Sequence, residues 1–289
     1  MKITRMKTNR IQSPLGFDLR TPSVSWTVCE TEAKKQIAAR VEVSKCSDFS
    51  ELVFDTGVSK TLSSLGVKLE FRMEPCTRYF WRVSVTNEHN ETVVSEPAWF
   101  ETGKMDEPLC GKPISPDLSC DIAPYFRKTF TIPGKVIRAR AYFTGLGIYE
   151  LFVNDKKAGE EFLAPGCTVY DSWIQLQTYD VTEYLHEGEN VLGAIVGNGW
   201  AKGRFSFGSE PGSYETNFPG IPANNFTEEY LLLGELHVWT DMGEIVIATD
   251  ESWQSAPCPL TFGNIYDGER YEQALEIKNW ASAECTYAD

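Results

Sequence analysis

The sequence predicts an all-β protein that is built from two β-sandwich domains. Apolar and polar side chains alternate at a spacing of two in many short segments, and Gly, Pro, Asn or Asp separates these segments. Helix signals are almost absent along the 289 residues. A polar segment with several prolines lies near the middle of the chain and divides it into two halves.

The first half opens with an alternating strand around Trp26 and later carries a longer alternating strand that begins at Tyr79. Tyr79 and Trp81 fall on the same face of that strand, and a turn containing Pro75 precedes it. A tyrosine in this place is the tyrosine corner of immunoglobulin-like sandwiches, in which the hydroxyl bonds to backbone upstream. The pattern therefore predicts an immunoglobulin-like or fibronectin type III-like sandwich over residues 1 to 104.

The proline-bearing segment, residues 105 to 120, predicts an extended and semi-rigid linker. Residues 190 to 197 of the second half are almost continuously apolar, as in a strand at the centre of a sheet that is covered on both faces. Residues 205 to 228 are rich in Gly, Pro, Ser and Asn and predict an excursion on one rim. The order of strands over residues 121 to 289 predicts a galactose-binding-like jelly-roll sandwich, which could be cut short at its C-terminus.

The charge balance narrows the range of partners. The chain has 41 acidic and 27 basic side chains and a formal net charge of −14. Such a chain repels the phosphates of nucleic acids and the anionic surfaces of membranes, so we expect neither as a partner. A neutral ligand such as a sugar is compatible with this acidity, although the acidity could also serve solubility alone.

The N-terminal residues and the cysteines favour a cytoplasmic location, unless a leader has been removed. Residues 1 to 10 are basic and polar and are not followed by an apolar core, so they do not form a secretory signal. The eight cysteines are scattered and contain no CxxC pair. Free thiols in a reducing compartment explain them better than a disulfide framework or a zinc site.

Several motifs occur in the order found in one enzyme family. They are Phe54-Asp55-Thr56-Gly57, Tyr79-Phe80-Trp81-Arg82-Val83, Ala123-Pro124-Tyr125-Phe126-Arg127-Lys128, Gly147-Ile148-Tyr149-Glu150-Leu151-Phe152-Val153-Asn154, Leu163-Ala164-Pro165-Gly166-Cys167-Thr168-Val169-Tyr170, Thr178-Tyr179-Asp180-Val181-Thr182, Gly197-Asn198-Gly199-Trp200 and Tyr266-Asp267-Gly268-Glu269-Arg270-Tyr271. With these motifs the chain resembles the N-terminal region of bacterial α-L-rhamnosidases, glycoside hydrolase family 78. Asp155 and Cys167 depart from the family pattern, which commonly has Gly and Trp at these two places.

The resemblance implies a non-catalytic, accessory region of such an enzyme. In the family an (α/α)6 barrel carries the two carboxylates that hydrolyse terminal α-L-rhamnosides with inversion, and those carboxylates need to lie across the sugar from one another. This chain has no helical array of that kind, so we expect no hydrolysis by it alone. The implied partners are the catalytic domain of the same polypeptide and rhamnose-containing carbohydrate, and no cofactor is required.

The resemblance also implies a candidate calcium-assisted sugar site. Some relatives build one from loop oxygens of the jelly roll, and calcium prefers six to eight oxygen ligands. Asn154, Asp155 and Asn198 are the candidate metal ligands and, together with Trp200, the candidate carbohydrate-binding residues. The alternative is structural, because Asn-Asp suits a tight hairpin turn and Gly-Asn-Gly supplies positive φ angles.

Other polar and aromatic residues have a structural interpretation beside the functional one. Tyr170 and Trp173, like Trp200, could stack on a deoxy sugar or pack in an interface. Asp267 and Glu269 look like a carboxylate pair, but one Gly between them indicates a turn. The three histidines, at positions 89, 186 and 237, lack the spacing of metal ligands.

Three functions stay open at the level of sequence. The favoured one is an accessory region that supports the rhamnosidase barrel and contributes to binding rhamnose-containing glycans. The second is a carbohydrate-binding module that acts on its own, and the third is a purely structural pair of sandwiches. A large exposed apolar patch would favour the first or the third, whereas a sugar-dependent shift in stability would favour the second.

Overall fold

A computed structural model describes residues 1 to 118, 122 to 203 and 226 to 285. The chain separates into two compact units, Met1–Pro108 and Leu109–Asp289. The segment predicted as a linker is thus divided between the two units. Its later part is hydrogen-bonded within the second unit, where Ile114 bridges to Leu232. Most of the excursion predicted over residues 205 to 228, and the last four residues of the chain, lie outside the described residues.

The first unit is a β-sandwich of two sheets. Its strands are β1 Lys2–Thr8, β2 Leu15–Phe17, β3 Ser23–Cys29, β4 Gln36–Ser44, β5 Leu52–Asp55, β6 Val67–Lys68, β7 Arg78–Asn87, β8 Thr92–Val94 and β9 Ala98–Thr102. One sheet has the order β1-β3-β6, and the other has the order β2-β9-β7-β4-β5 with β8 paired to β7. This arrangement confirms the predicted immunoglobulin-like sandwich.

The tyrosine corner of the first unit forms as predicted. Tyr79 is fully buried, and its hydroxyl oxygen accepts a hydrogen bond of 2.9 Å from the backbone N–H of Glu74. Its ring stacks on Phe100 at 5.3 Å and meets Phe71 edge-on at 5.4 Å. Trp81 lies on the same inward face and is also fully buried. The alternation in β7 therefore places one row of large side chains in the core, as a period of two requires.

The second unit is a sandwich of two antiparallel sheets with a small hairpin. Its strands are β10 Pro124–Ile132, β11 Val136–Leu146, β12 Ile148–Val153, β13 Lys156–Lys157, β14 Gln177–Asp180, β15 Gly188–Gly197, β16 Leu231–Thr240, β17 Gly243–Ala248, β18 Gln254–Pro257, β19 Leu260–Asn264 and β20 Gly268–Tyr271. The sheet orders are β13-β12-β15-β10-β18 and β14-β11-β16-β17, and β19 pairs with β20. Helical structure among the described residues is limited to α1, Gly199–Lys202, and two single 3-10 turns, Thr182–Tyr184 and Gln273–Leu275. The all-β prediction with a jelly-roll-like second domain is confirmed.

Strand β15 occupies the centre of the five-stranded sheet, as its apolar sequence predicted. Leu192, Ala194 and Val196 point into the core between the two sheets and are fully buried. The other face of the strand carries Gly193 and Ile195, and the C-terminal segment of the described chain covers it.

Trp280 holds this C-terminal segment against the sheet. A Cβ atom added to Gly193 would lie 2.5 Å from the Trp280 ring, so the indole rests directly on the glycine backbone. The ring also stacks on Tyr125 with centroids 4.3 Å apart. Arg127 donates hydrogen bonds of 3.0 Å to the carbonyl oxygens of Trp280 and Ser282. We call residues 277 to 285 the C-terminal strap.

None of the helical segments within the described ranges has the length and apolar character that a membrane crossing requires.

The tyrosine corner yields the first testable prediction. Tyr79→Phe removes the acceptor of the Glu74 amide, and we expect the free energy of unfolding of the first unit to fall by about 1–2 kcal/mol, because a partly buried N–H loses its partner. Urea unfolding followed by tryptophan fluorescence measures the change. Tyr271→Phe is the control, because it removes an exposed hydroxyl that bonds Glu276 in the second unit, and it is expected to leave the unfolding of the first unit unchanged. Equal stabilities of the Tyr79→Phe variant and the unchanged chain would contradict this role of the corner.

Candidate functional site

The predicted site residues lie at two opposite ends of one strand pair. In the antiparallel pairing of β12 with β15, Val153 faces Leu192 and Ile148 faces Gly197. Asn154 and Asp155 therefore follow one end of the pair, whereas Asn198 and Trp200 follow the other. Six residues of strand separate the two ends, which corresponds to about 20 Å. The structure does not bring the three proposed calcium ligands together.

The side chain of Asn154 is fully occupied by hydrogen bonds within the fold. Its Nδ2 donates to the carbonyl oxygen of Tyr184 and to Oδ1 of Asn190, each at 2.8 Å, and its Oδ1 accepts from the backbone N–H of Val191 at 2.9 Å. Asn190 in turn donates to the carbonyl oxygens of His186 and Gly188. These asparagines join the β12–β13 turn to the segment before β15.

Asp155 occupies the second position of the same turn and is exposed. Both turn residues have positive φ angles, 49° for Asn154 and 63° for Asp155, as the tight-turn interpretation requires. The residues predicted to hold calcium do not converge on one site. The Asn154 amide is already bonded within the fold, and Asn198 lies at the other end of the strand pair.

Asn198 and Trp200 lie with α1 at the other end, which we call the Asn198 rim. Asn198 Oδ1 accepts a hydrogen bond of 2.6 Å from the Tyr230 hydroxyl. The Lys202 ammonium lies 4.9 Å from the centroid of the Tyr230 ring. Within the described part of the chain, neither Nδ2 of Asn198 nor the indole N–H of Trp200 has a hydrogen-bond acceptor. Both residues are partly exposed.

Tyr170 and Trp173 belong to a loop that borders the Asn198 rim. The Tyr170 ring lies 5.6 Å from that of Phe226, and the neighbouring Thr227 donates its backbone N–H to the carbonyl oxygen of Ala201 in α1. Burial raises the pKa of Tyr170, whose hydroxyl donates to the Gly166 carbonyl oxygen. Trp173 points outward and is 57% exposed. The Tyr170 loop is thus linked to α1 through Phe226 and Thr227.

Two buried phenols beneath this rim serve as fixed hydrogen-bond groups. Tyr149 donates to the carbonyl oxygen of Phe143 at 2.9 Å, and its hydroxyl lies 3.1 Å from that of Tyr179. Burial raises the pKa of Tyr149 well above its ordinary value and that of Tyr179 to about 12. Both hydroxyls stay protonated at neutral pH, so they stabilise the sandwich and do not exchange protons with a ligand.

The Asp267–Glu269 pair lies in a hairpin, as the turn interpretation predicted. Asp267 is in the turn between β19 and β20, and Glu269 is an exposed residue of β20. Of the histidines, His237 lies between two carboxylates, at 2.9 Å from Glu235 and 2.7 Å from Glu244. The seven cysteines within the described ranges are thiols and are not joined as disulfides to one another.

Sequence reasoning missed Asn190 and Tyr230. Asn190 bonds Asn154 from 36 residues away, and Tyr230 bonds Asn198 from 32 residues away. Asn190, at the start of an otherwise apolar strand, was the one available signal in the sequence. A buried amide needs hydrogen-bond partners, so its position indicates that other polar groups lie nearby.

Comparisons with known proteins agree on one family. The model of the α-L-rhamnosidase N-terminal domain matches residues 134 to 288, and that of the Rha78A-like, N-terminal immunoglobulin domain matches residues 3 to 106. An α-L-rhamnosidase of Formosa agariphila is 30% identical over 95% of this chain, but the match covers 31% of that protein. The chain thus spans about a third of the length of the curated relatives it matches.

Solved structures give the same result. The α-L-rhamnosidase from Dictyoglumus thermophilum is 30% identical, covers the whole chain with a TM-score of 0.79, and is matched over 33% of its own length. A Streptomyces avermitilis α-L-rhamnosidase complexed with L-rhamnose has a TM-score of 0.86 at 20% identity, with all of this chain and 44% of that one covered. The latter similarity shows the fold alone.

The β12–β13 turn offers a matched pair of substitutions. Asn154→Gly removes three hydrogen bonds, and we expect it to lower the free energy of unfolding of the second unit by about 1–3 kcal/mol. Asp155→Gly is the control, because glycine suits the positive φ at both places and increases the freedom of the unfolded chain equally. Thermal unfolding followed by circular dichroism compares the two variants. Equal stabilities would show that Asn154 has no structural role and would return it to the list of candidate ligands.

Proposed function

This chain belongs to the family of α-L-rhamnosidase N-terminal domains, and from this premise we propose that it is the non-catalytic front region of an enzyme that hydrolyses terminal α-L-rhamnosides. The observation that carries the proposal is the extent of the match. Two N-terminal domain models follow one another along the chain, while its relatives extend over about three times its length.

The role we propose for this region is to support a catalytic domain in the same polypeptide. The described residues form β-sandwiches and hairpins and contain one four-residue helix, so they do not supply a helical barrel. Their most prominent carboxylate pair, Asp267 and Glu269, lies in a hairpin, and Glu269 is exposed there. Glycoside hydrolysis requires an acid and a base on opposite sides of the glycosidic bond. A pair of residues in an exposed hairpin does not provide that arrangement.

A second candidate function, direct contact with rhamnose-containing glycans, is favoured by the Asn198 rim. The amide of Asn198 and the indole N–H of Trp200 are donors without acceptors among the described residues, and aromatic rings border them. Sugar sites combine such polar groups with an apolar surface. This contact would not involve calcium, because Asn154 and Asp155 lie at the opposite end of β12 and β15.

Two assays test the proposed function. We expect the purified chain to release no p-nitrophenol from p-nitrophenyl α-L-rhamnoside, because the catalytic carboxylates belong to the region that its relatives add. A fusion protein in which this chain replaces the matched first third of the Formosa agariphila relative should hydrolyse that substrate. Hydrolysis by the chain alone, or an inactive but folded fusion, would contradict the proposal.

Calorimetric titration with L-rhamnose tests the second candidate. We expect weak binding that is equal in calcium and in a chelator, and Asn198→Ala and Trp200→Phe should each weaken it. Asp155→Ala is the matched control at the other end of the strand pair and should bind as the unchanged chain does. An absence of heat in both buffers would leave the structural role alone, whereas binding that requires calcium would restore the calcium hypothesis.

A further inference from the structure

The loop that connects β13 to β14, residues 158 to 176, exposes more large apolar side chains than a surface loop needs. Phe162 is 78% exposed, Val169 62% and Trp173 57%, and Leu163 is also exposed. Contiguous exposed apolar patches are rare on monomeric proteins and mark interaction sites. We call these four side chains and the backbone that carries them the apolar loop.

The apolar loop is held in place at both ends. The carbonyl oxygen of Ala164 accepts a hydrogen bond of 2.9 Å from the backbone N–H of Tyr149, at the start of β12. Near the other end, the Thr144 hydroxyl donates to the carbonyl oxygen of Gln175 at 2.9 Å. The loop is therefore anchored to both sheets of the second unit, through β12 in one and β11 in the other.

The inside of the loop is bonded to itself. The backbone N–H of Trp173 donates to the carbonyl oxygen of Val169 at 3.0 Å, and the Thr168 hydroxyl donates to the carbonyl oxygen of Trp173 at 2.9 Å. Because the backbone is already ordered, a partner that covers these side chains loses little affinity to the ordering of the loop.

The chemistry of the loop suits a protein surface better than a sugar. The hydroxyls of Thr168 and Tyr170 both bond to carbonyl oxygens of the same loop, so they are not free for a saccharide. The Lys157 ammonium lies 3.9 Å from the centroid of the Phe162 ring, and the exposed acidic residues Glu160, Glu161 and Asp171 flank the apolar side chains. Aromatic anchors with a charged and polar rim are the arrangement found in protein–protein interfaces.

We infer that the apolar loop is a docking surface for the domain that follows this region in the full-length polypeptide. This inference rests on the proposed function. The relatives that match this chain over almost its full length extend over about three times that length, so most of their polypeptide is available to cover the loop. Two other exposed apolar side chains of the second unit, Ile137 and Met242, lie outside the loop and serve as controls.

The isolated chain provides the first test. The double variant Phe162→Ser, Trp173→Ser should unfold within about 2 °C of the unchanged chain, because exposed side chains that await a partner contribute little to the fold of the isolated unit. A large fall in the midpoint of thermal unfolding would show that the loop belongs to the core of this unit, and would overturn the inference.

Hydroxyl-radical footprinting of the fusion with the Formosa agariphila relative provides the second test. We expect the modification of Phe162 and Trp173 to fall several-fold in the fusion relative to the isolated chain, while Ile137 and Met242 react equally in both. The same comparison with the two parts mixed as separate proteins covers the case in which the fusion does not fold. Equal modification of the loop in the isolated chain and its complexes would overturn the inference.

The remaining outcomes separate the rival occupants and the two proposals. Protection that grows with the concentration of the isolated chain would assign the surface to a second copy, and protection at every concentration would assign it to the chain's own residues; either outcome overturns the inference. Rhamnoside hydrolysis by the fusion is recorded in parallel. An active fusion with an unprotected loop would support the proposed function and overturn the docking surface. An inactive fusion with a protected loop would support the docking surface and contradict the proposed function.

Discussion

The second unit depends on covering both faces of its central strand, β15. One face packs into the sandwich through Leu192, Ala194 and Val196, which is the ordinary way to bury a sheet. Among the described residues, the C-terminal strap covers the other face with Trp280 on Gly193, and Leu260 of β19 packs beside it. Residues more than 80 positions later in the chain therefore cover this strand. The sheet and the strap depend on one another.

The same strand also sets the geometry of the rims. β12 and β15 pair without a bulge from Val153 to Ile148. The residues that follow one end of the pair are therefore far from the residues that follow the other end. Asparagines lie at both ends, but they differ in how their amides are used. At the β12–β13 turn both the nitrogen and the oxygen of the Asn154 amide are bonded within the fold, whereas at the Asn198 rim the amide oxygen accepts a bond from Tyr230. Local sequence alone does not distinguish these two cases.

Local patterns predicted the strands well because each depends on few neighbours. The alternation around Tyr79 and the apolar run of β15 needed only a period of two and a count of apolar residues. The asparagine bonds could not be predicted, since Asn154 and Asn190 are 36 residues apart and only the folded sheet brings them together. The strap is a stronger example, because Arg127 bonds the carbonyl oxygen of Ser282, 155 residues away, and no periodicity in the sequence indicates such a contact. The calcium hypothesis assumed that Asn154, Asp155 and Asn198 converge, and the register of β12 and β15 instead places Asn198 at the other end of the strand pair.

The way the strap is anchored has a consequence for sequence divergence. Arg127 bonds to the carbonyl oxygens of Trp280 and Ser282, and any amino acid supplies a carbonyl oxygen. The side chains along the strap can therefore drift during evolution without releasing these two bonds. Position 193 is different, since even one methyl group would collide with the indole of Trp280. The region should tolerate substitutions at the exposed positions of the strap while retaining a glycine in β15, a large flat ring opposite it and a small residue at the buried position of Ala281.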